Sequence, residues 1–190
     1  MNVQIPRPMD SAAFLAWAEG REGRYELVDG RVTMMTGGSR AHALVMRRLA
    51  NALEQRLDSA RWTVLNADFA ARITPNTVRY PDVIVDAAAG PLKDLSATTP
   101  VLIAEVLSPC SVTTDLGDKA AEYLHLDSVL AYLVLSQDEP KAWVWIKDGL
   151  EFAGPKVVMG DGAVIQVAPL SIELPLAEIY RDFPKADSEA

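Results

Sequence analysis

The chain is short of cysteine, of basic residues and of long apolar runs, and each shortage closes a door. Cys110 is the only cysteine in 190 residues, so no intramolecular disulfide can form and a reducing compartment is expected. Lysine and arginine number 18 against 26 aspartates and glutamates, for a formal net charge of −8 and a pI near 4.8. Free-standing, sequence-independent binding of nucleic acid needs clustered Lys and Arg to neutralise phosphate, so that class is disfavoured while a local basic patch stays open. No apolar run is long enough to span a bilayer, and residues 1–8 lack the apolar stretch of a signal peptide, so a soluble, cytoplasmic protein with no membrane partner is expected. The sequence also lacks internal repeats and low-complexity tracts.

What remains is ordinary globular composition, 49% hydrophobic and 23% charged. That is enough chain for one sizeable core and little for two, so residues 1–190 read as a single domain with flexible ends at 1–9 and 185–190. Residues 10–19 predict a short helix capped by Asp10 or Ser11. Tyr25-Glu26-Leu27-Val28 and Arg31 to Met35 predict a β-hairpin around Asp29-Gly30. Ser39 caps an amphipathic helix over 40–58, with His42 in its apolar arc near the N-terminus. A strand is predicted over 62–73 with Asp68 near its middle, then a turn at Pro75-Asn76. Strands at 129–135, 141–147, 150–152 and 163–167 form a C-terminal β-meander, and 175–180 a short last helix.

The centre of the chain carries the chemistry. Residues 80–86 and 101–107 predict two strands, each bearing a carboxylate, Asp82 and Glu105. Near-continuous apolar strands are covered on both faces, and a carboxylate there is costly unless it binds a metal, pairs with a cation or accepts good hydrogen bonds. A helix over 112–126 then supplies Asp115 and Lys119. The order helix, strand, strand, strand, helix, strand implies an α/β sandwich with a mixed central sheet flanked by helices, which is also the core order of the PD-(D/E)xK nuclease fold.

Pro81-Asp82, Glu105-Val106-Leu107-Ser108-Pro109 and Asp115-Leu116-Gly117-Asp118-Lys119, with Tyr25 to Gly30 and His42 upstream, resemble the Uma2 family (DUF820) of restriction-endonuclease-like proteins over residues 25–147. The resemblance implies a metal-dependent endonuclease that hydrolyses DNA, with Asp82 and Glu105 as ligands of Mg²⁺ or Mn²⁺ and with Lys119, Glu26 and His42 completing the catalytic set. A (D/E)xK strand would place lysine two residues after Glu105, where this chain has Leu107. The family resemblance puts the lysine on the following helix, at Lys119. At about 100° per residue Val112, Leu116, Tyr123 and Leu126 share a face, Lys119 falls among them toward the sheet, and Asp118, Ala121 and His125 point away.

Each residue also has a plainer role. Asp82 can open a strand after proline, Glu105 can form a structural ion pair with Lys119, and Lys119 an ordinary pair with Asp115 four residues back. His42 can be a hydrogen-bonded core histidine and Glu26 a hairpin residue. A Cys110/His125 thiol mechanism is not supported, because His125 lies on the outer helix face and nothing near Cys110 would activate it. The alternative to an enzyme is a catalytically inactive nuclease-fold module for binding or regulation. Trp143 and Trp145 share one face of a strand, an area that either the terminal segment or a second subunit must cover, and a homodimer is expected.

Overall fold

The computed structural model describes residues 8–35, 37–108 and 111–183. Helix α1 (Ser11–Ala18) starts at Asp10, whose carboxylate accepts the Ala13 N–H at 2.7 Å. The hairpin of β1 (Tyr25–Val28) and β2 (Arg31–Met34) turns at Asp29 and Gly30, with φ of 49° and 78°. Two successive positive φ values make the tight turn that Asp-Gly favours. Helix α2 (Arg40–Glu54) is capped by Ser39, whose hydroxyl accepts the His42 N–H at 3.1 Å, and it buries Val45, Leu49 and Leu53.

Two sheets follow. β4 (Ala71–Thr74) and β5 (Thr77–Arg79) join the hairpin in a four-stranded sheet of order β2-β1-β5-β4. The main sheet comprises β3 (Trp62–Asn66), β6 (Val83–Ala87), β7 (Leu102–Leu107), β8 (Ala131–Ser136), β9 (Lys141–Asp148) and β10 (Glu151–Met159), in spatial order β10-β9-β8-β7-β6-β3. Only β7 and β8 run parallel, because the crossover between them carries a π-helical turn (Thr114–Asp118) and helix α3 (Lys119–Leu124). The sheet is therefore mixed and helix-flanked, as expected.

Its two faces are separate cores. On one, Val83, Val85, Leu102, Ala104, Leu133 and Leu135 pack against α2, against a hairpin of β11 (Val164–Val167) and β12 (Ile172–Pro175), and against α4 (Leu176–Ile179). On the other, Ile84, Ile103, Tyr132, Val134 and Trp145 pack under α3. Strand parity puts Glu105 on this second face with Ile103, beneath the helix that brings Lys119.

Four expectations need correction. Residues 62–73 are not one strand: Asn66 to Phe69 turn the chain, closed by Phe69 N–H to Asn66 C=O at 2.9 Å, and Asp68 sits in that turn between two sheets. The strand placed at 80–86 begins at Val83, and Thr77 to Arg79 pair in the other sheet. The C-terminal meander ends at β10, since β11 pairs with β12 alone. The terminal hairpin covers the face opposite the two tryptophans; Trp145 is 6% exposed and packs against Tyr132 with ring centroids 5.2 Å apart, while Trp143 is half-buried. Pro109, Cys110 and the ends at 1–7 and 184–190 lie outside the described residues. Among the described residues no helix is long and apolar enough to cross a membrane.

Candidate active site

An open cleft of about 290 Å³ runs between the hairpin and the start of α3, lined by all five predicted site residues, Glu26, His42, Asp82, Glu105 and Lys119, together with Asp115 and Arg24. The topology explains the convergence. β6 and β7 pair antiparallel with Val83 opposite Ala104, so one further step sets Asp82 opposite Glu105 at the sheet end where α3 begins. Asp82 is fixed there by the Val106 N–H, 2.8 Å from its Oδ2.

Lys119 reaches down from the first residue of α3, and its Nζ lies 3.0 Å from Glu105 Oε1, 3.2 Å from Asp115 Oδ1 and 3.9 Å from Glu26 Oε1. Only the Glu105 contact has hydrogen-bond geometry; buried Asp115 Oδ1 has no hydrogen-bond partner and is held by charge alone. Burial works against the Lys119 charge, but Glu105, Glu26 and Asp115 outweigh it and raise its pKa above the ordinary lysine value. Burial pushes Glu105, 3% exposed, up to about 8 against the pull of Lys119. Tyr123 Oη donates to the same Glu105 Oε1 at 2.8 Å, and burial next to that carboxylate keeps its phenol protonated.

His42 Nε2 lies 3.1 Å from Asp82 Oδ2. That hydrogen bond raises the His42 pKa, with Asp82 and Glu105 charges assisting and burial opposing. Glu26 is braced: Oε2 takes Arg79 Nη1 at 2.9 Å, Oε1 the Tyr80 N–H at 3.3 Å. Arg79 also grips Glu122 of α3 through two hydrogen bonds of 2.7 and 2.8 Å. Burial opposes the Arg79 charge, yet the two glutamates raise its pKa. This brace ties the hairpin sheet to α3. Neither Arg79 nor Glu122 was singled out from sequence, because 43 residues separate them and no short-range spacing marks the pair.

The helix-face reading holds for Lys119 and Tyr123 inside and for Asp118, Ala121 and His125 outside. It fails for Val112, which is 43% exposed. The cause is the π-helical turn, in which the Lys119 N–H bonds Thr114 C=O five residues back; the wider turn breaks the 100° phase.

Among the described residues no three His, Cys, Asp or Glu side chains form a ready-made metal cage. A hard ion that keeps several waters needs only one or two carboxylates. Asp82 and Glu105 stand opposite each other on one cleft, and Oδ1 of the first and Oε2 of the second take no hydrogen bond from the described residues.

Comparison with known proteins bears on the family and the fold. The model of the Uma2 family, described as "Putative restriction endonuclease", matches residues 11–177. Two Synechocystis proteins are similar: "Uncharacterized protein slr1290", 33% identical over 126 residues, 65% of this chain and 66% of that one, and "Uncharacterized protein sll1609", 26% identical over 141 residues, 72% and 80%. The match thus spans just under two thirds of the first relative. The crystal structure of "a putative nuclease belonging to DUF820" from Anabaena variabilis superposes with a TM-score of 0.71 at 14% identity, covering 90% of this chain and 97% of that one; at that identity the likeness speaks for the fold.

Proposed function

We propose, from the premise that this chain belongs to the Uma2 family, that it is a nuclease hydrolysing DNA phosphodiester bonds in the cleft between the hairpin and α3. The observation that carries the reading is Lys119 Nζ at 3.0 Å from Glu105 although Leu107 stands where a (D/E)xK strand has its lysine. The two-carboxylate-plus-lysine set of the fold is thereby complete from a different element.

Asp82 and Glu105 would hold Mg²⁺ or Mn²⁺, which supplies polarisation of a phosphoryl oxygen and acidification of a bound water. The rest is done by the chain. Lys119 stays protonated because its pKa is raised, so it acts as a fixed cation for charge developing on the phosphoryl group and not as a general base. His42 holds the Asp82 carboxylate in place from Nε2 and keeps its proton at higher pH than a free histidine. Glu26 sets the hairpin wall through Arg79 and Tyr80.

The test is cleavage of single- and double-stranded DNA with Mg²⁺ or Mn²⁺, alongside calorimetric titration of each ion. The parent should cut and bind the ion, and Asp82→Ala and Glu105→Ala should lose both. A parent that binds neither ion and cuts neither substrate overturns the reading. One observation favours the inactive module instead: three carboxylates surround Lys119, so the cation has a complete structural role without substrate. Binding of DNA or a partner with no cleavage under any ion would select that alternative.

A further inference from the structure

A second, smaller cavity adjoins the catalytic cleft, and Arg24 lines both. Its walls are Gly23, Tyr25, Ala67, Asp68 and Tyr80, around about 110 Å³. That is well under the few hundred Å³ of a pocket for a whole drug-sized ligand, so it suits one planar ring system and not a nucleotide with its neighbours. The chemistry of the walls is mixed in a telling way. Tyr25 and Tyr80 offer half-buried rings. Tyr25 is held edge-on to Trp17 at 5.1 Å between ring centroids, and its hydroxyl donates to Glu22 C=O at 3.0 Å. Gly23 has φ of +97°, and a Cβ there would come within 3.0 Å of the Tyr25 hydroxyl, so the absence of a side chain keeps the ring in place.

The polar groups of this cavity are not used up by the fold. The Tyr80 hydroxyl takes no hydrogen bond with the described residues, while its phenol is kept protonated by burial and by the charges of Asp68 and Glu26. Asp68 is exposed and forms no hydrogen bond or ion pair with the described residues. Arg24 spends one nitrogen on Ala67 C=O at 2.9 Å and lines both cavities.

We infer that this cavity is a nucleobase subsite, taking an unpaired adenine or cytosine next to the scissile phosphate, with Arg24 on the connecting phosphate. The inference rests on the nuclease reading and adds the substrate's form. Stacking on aromatic rings is how proteins hold a base taken out of its stack. A carboxylate beside a hydroxyl donor complements an exocyclic amine beside a ring-nitrogen acceptor. Adenine and cytosine present that pair on the Watson–Crick edge; thymine has no amine to give Asp68. A paired base cannot offer this edge, so the preferred substrate is single-stranded or locally opened DNA.

Fluorescence anisotropy in EDTA, where metal-dependent cutting is silent, tests this with labelled oligonucleotides of dA, dC or dT, a matching duplex, and a strand abasic throughout. The parent is expected to bind dA and dC strands about tenfold tighter than dT, duplex or abasic strand. Asp68→Ala and Tyr80→Phe should erase the base preference without lowering the melting temperature. Arg24→Gln should weaken all strands alike and reduce the salt slope by about one. Cleavage by the parent is measured in parallel. If it cuts DNA while the Asp68 and Tyr80 variants keep its full strand and base preference, or if the parent shows none, the subsite is wrong and the nuclease reading stands. If the parent neither binds nor cuts any DNA, both fall.

Discussion

Replacing Lys119 by methionine keeps most of its volume and removes its charge, and the surroundings fix the consequence. Glu105, Asp115 and Glu26 are 3%, 2% and 7% exposed, and they lie 3.0, 3.2 and 3.9 Å from the lysine nitrogen. At pH 7 Glu105, raised to about 8, is mostly neutral, so the buried charge that loses its partner is that of Asp115, whose Oδ1 has no hydrogen bond; stranding it costs about 3–5 kcal/mol, a large part of the roughly 5–15 kcal/mol of a whole domain. The loss is expected whether or not the protein is an enzyme, so destabilisation by itself does not separate an active from an inactive nuclease fold. Its pH dependence does report the mechanism. In the parent, burial raises Glu105 from 4.5 to about 8. A raised carboxyl contributes stability that is full below the unfolded pKa and lost as pH climbs to the folded one, so this contribution fades between about 4.5 and 8 and is then flat. Without Lys119 the folded pKa rises further, and the variant goes on losing stability above pH 8, by up to about 1.4 kcal/mol per pH unit. Urea unfolding of both proteins from pH 6 to 9.5 measures the gap. The double variant Lys119→Met/Glu105→Gln, which has no Glu105 carboxyl to titrate, should lose the widening above pH 8. A loss under about 1 kcal/mol at pH 7, or a gap that does not widen above pH 8, refutes the buried-cluster account.

Three further outcomes follow from the same geometry. Arg79→Lys gives up the two-pronged grip on Glu122 and the bond to Glu26, and should cost about 3 kcal/mol or more in urea unfolding; a loss within experimental error would show that the brace contributes nothing. Gly154→Ala should be costly, at least about 2 kcal/mol, because φ is +132° and the new Cβ would meet Val144 C=O at 2.6 Å, whereas Gly149→Ala, at φ +63° with nothing within 4 Å, should cost less; equal melting temperatures would contradict this. For His42 the pKa is raised by Asp82, so its contribution is complete below 6.5 and disappears as pH rises through the raised value; the stability gap to His42→Gln should therefore shrink between pH 6 and 9, and a gap that grows would reverse the assignment.

The parts of the fold legible in the sequence were those written in short-range patterns. Asp29-Gly30 specified its turn, Asp10 and Ser39 their helix starts, and the apolar runs around Asp82 and Glu105 the two strands that meet at the site. What could not be read was set by distant partners. Thr77 to Arg79 are buried like a central strand, but they pair with β4 just before them and with β1 some 50 residues earlier, in a sheet separate from the main one. β12 has only four residues, and its partner β11 pairs with nothing else. Asp86, a second acid on β6, accepts the Thr98 and Thr99 N–H groups at 2.9 and 2.7 Å and so pins the loop before β7. Only the fold separates a carboxylate spent on backbone from one aimed at a cleft.

The same distinction explains how a lysine of the helix reaches Glu105. Leu107 continues the apolar face of β7 beneath α3, so a cation must arrive from above, on a side chain long enough to reach Glu105. The crossover supplies it through the π-helical turn. Widening that turn shifts the Lys119 N–H to Thr114 C=O, and the Asp115 carbonyl is instead taken by Tyr132 Oη at 2.8 Å. Tyr132 belongs to β8, the strand that the crossover leads into, so the element that follows the lysine also secures the distortion that presents it. Asp115 is turned inward by the same device, 2% exposed with Oδ1 unbonded, which adds a third carboxylate around a single cation. A strand lysine would need neither the wide turn nor the extra acid. A cation carried on the helix therefore couples the site to the packing of Tyr123 and Tyr132, and changes in that aromatic layer should reach Glu105 without touching the cleft.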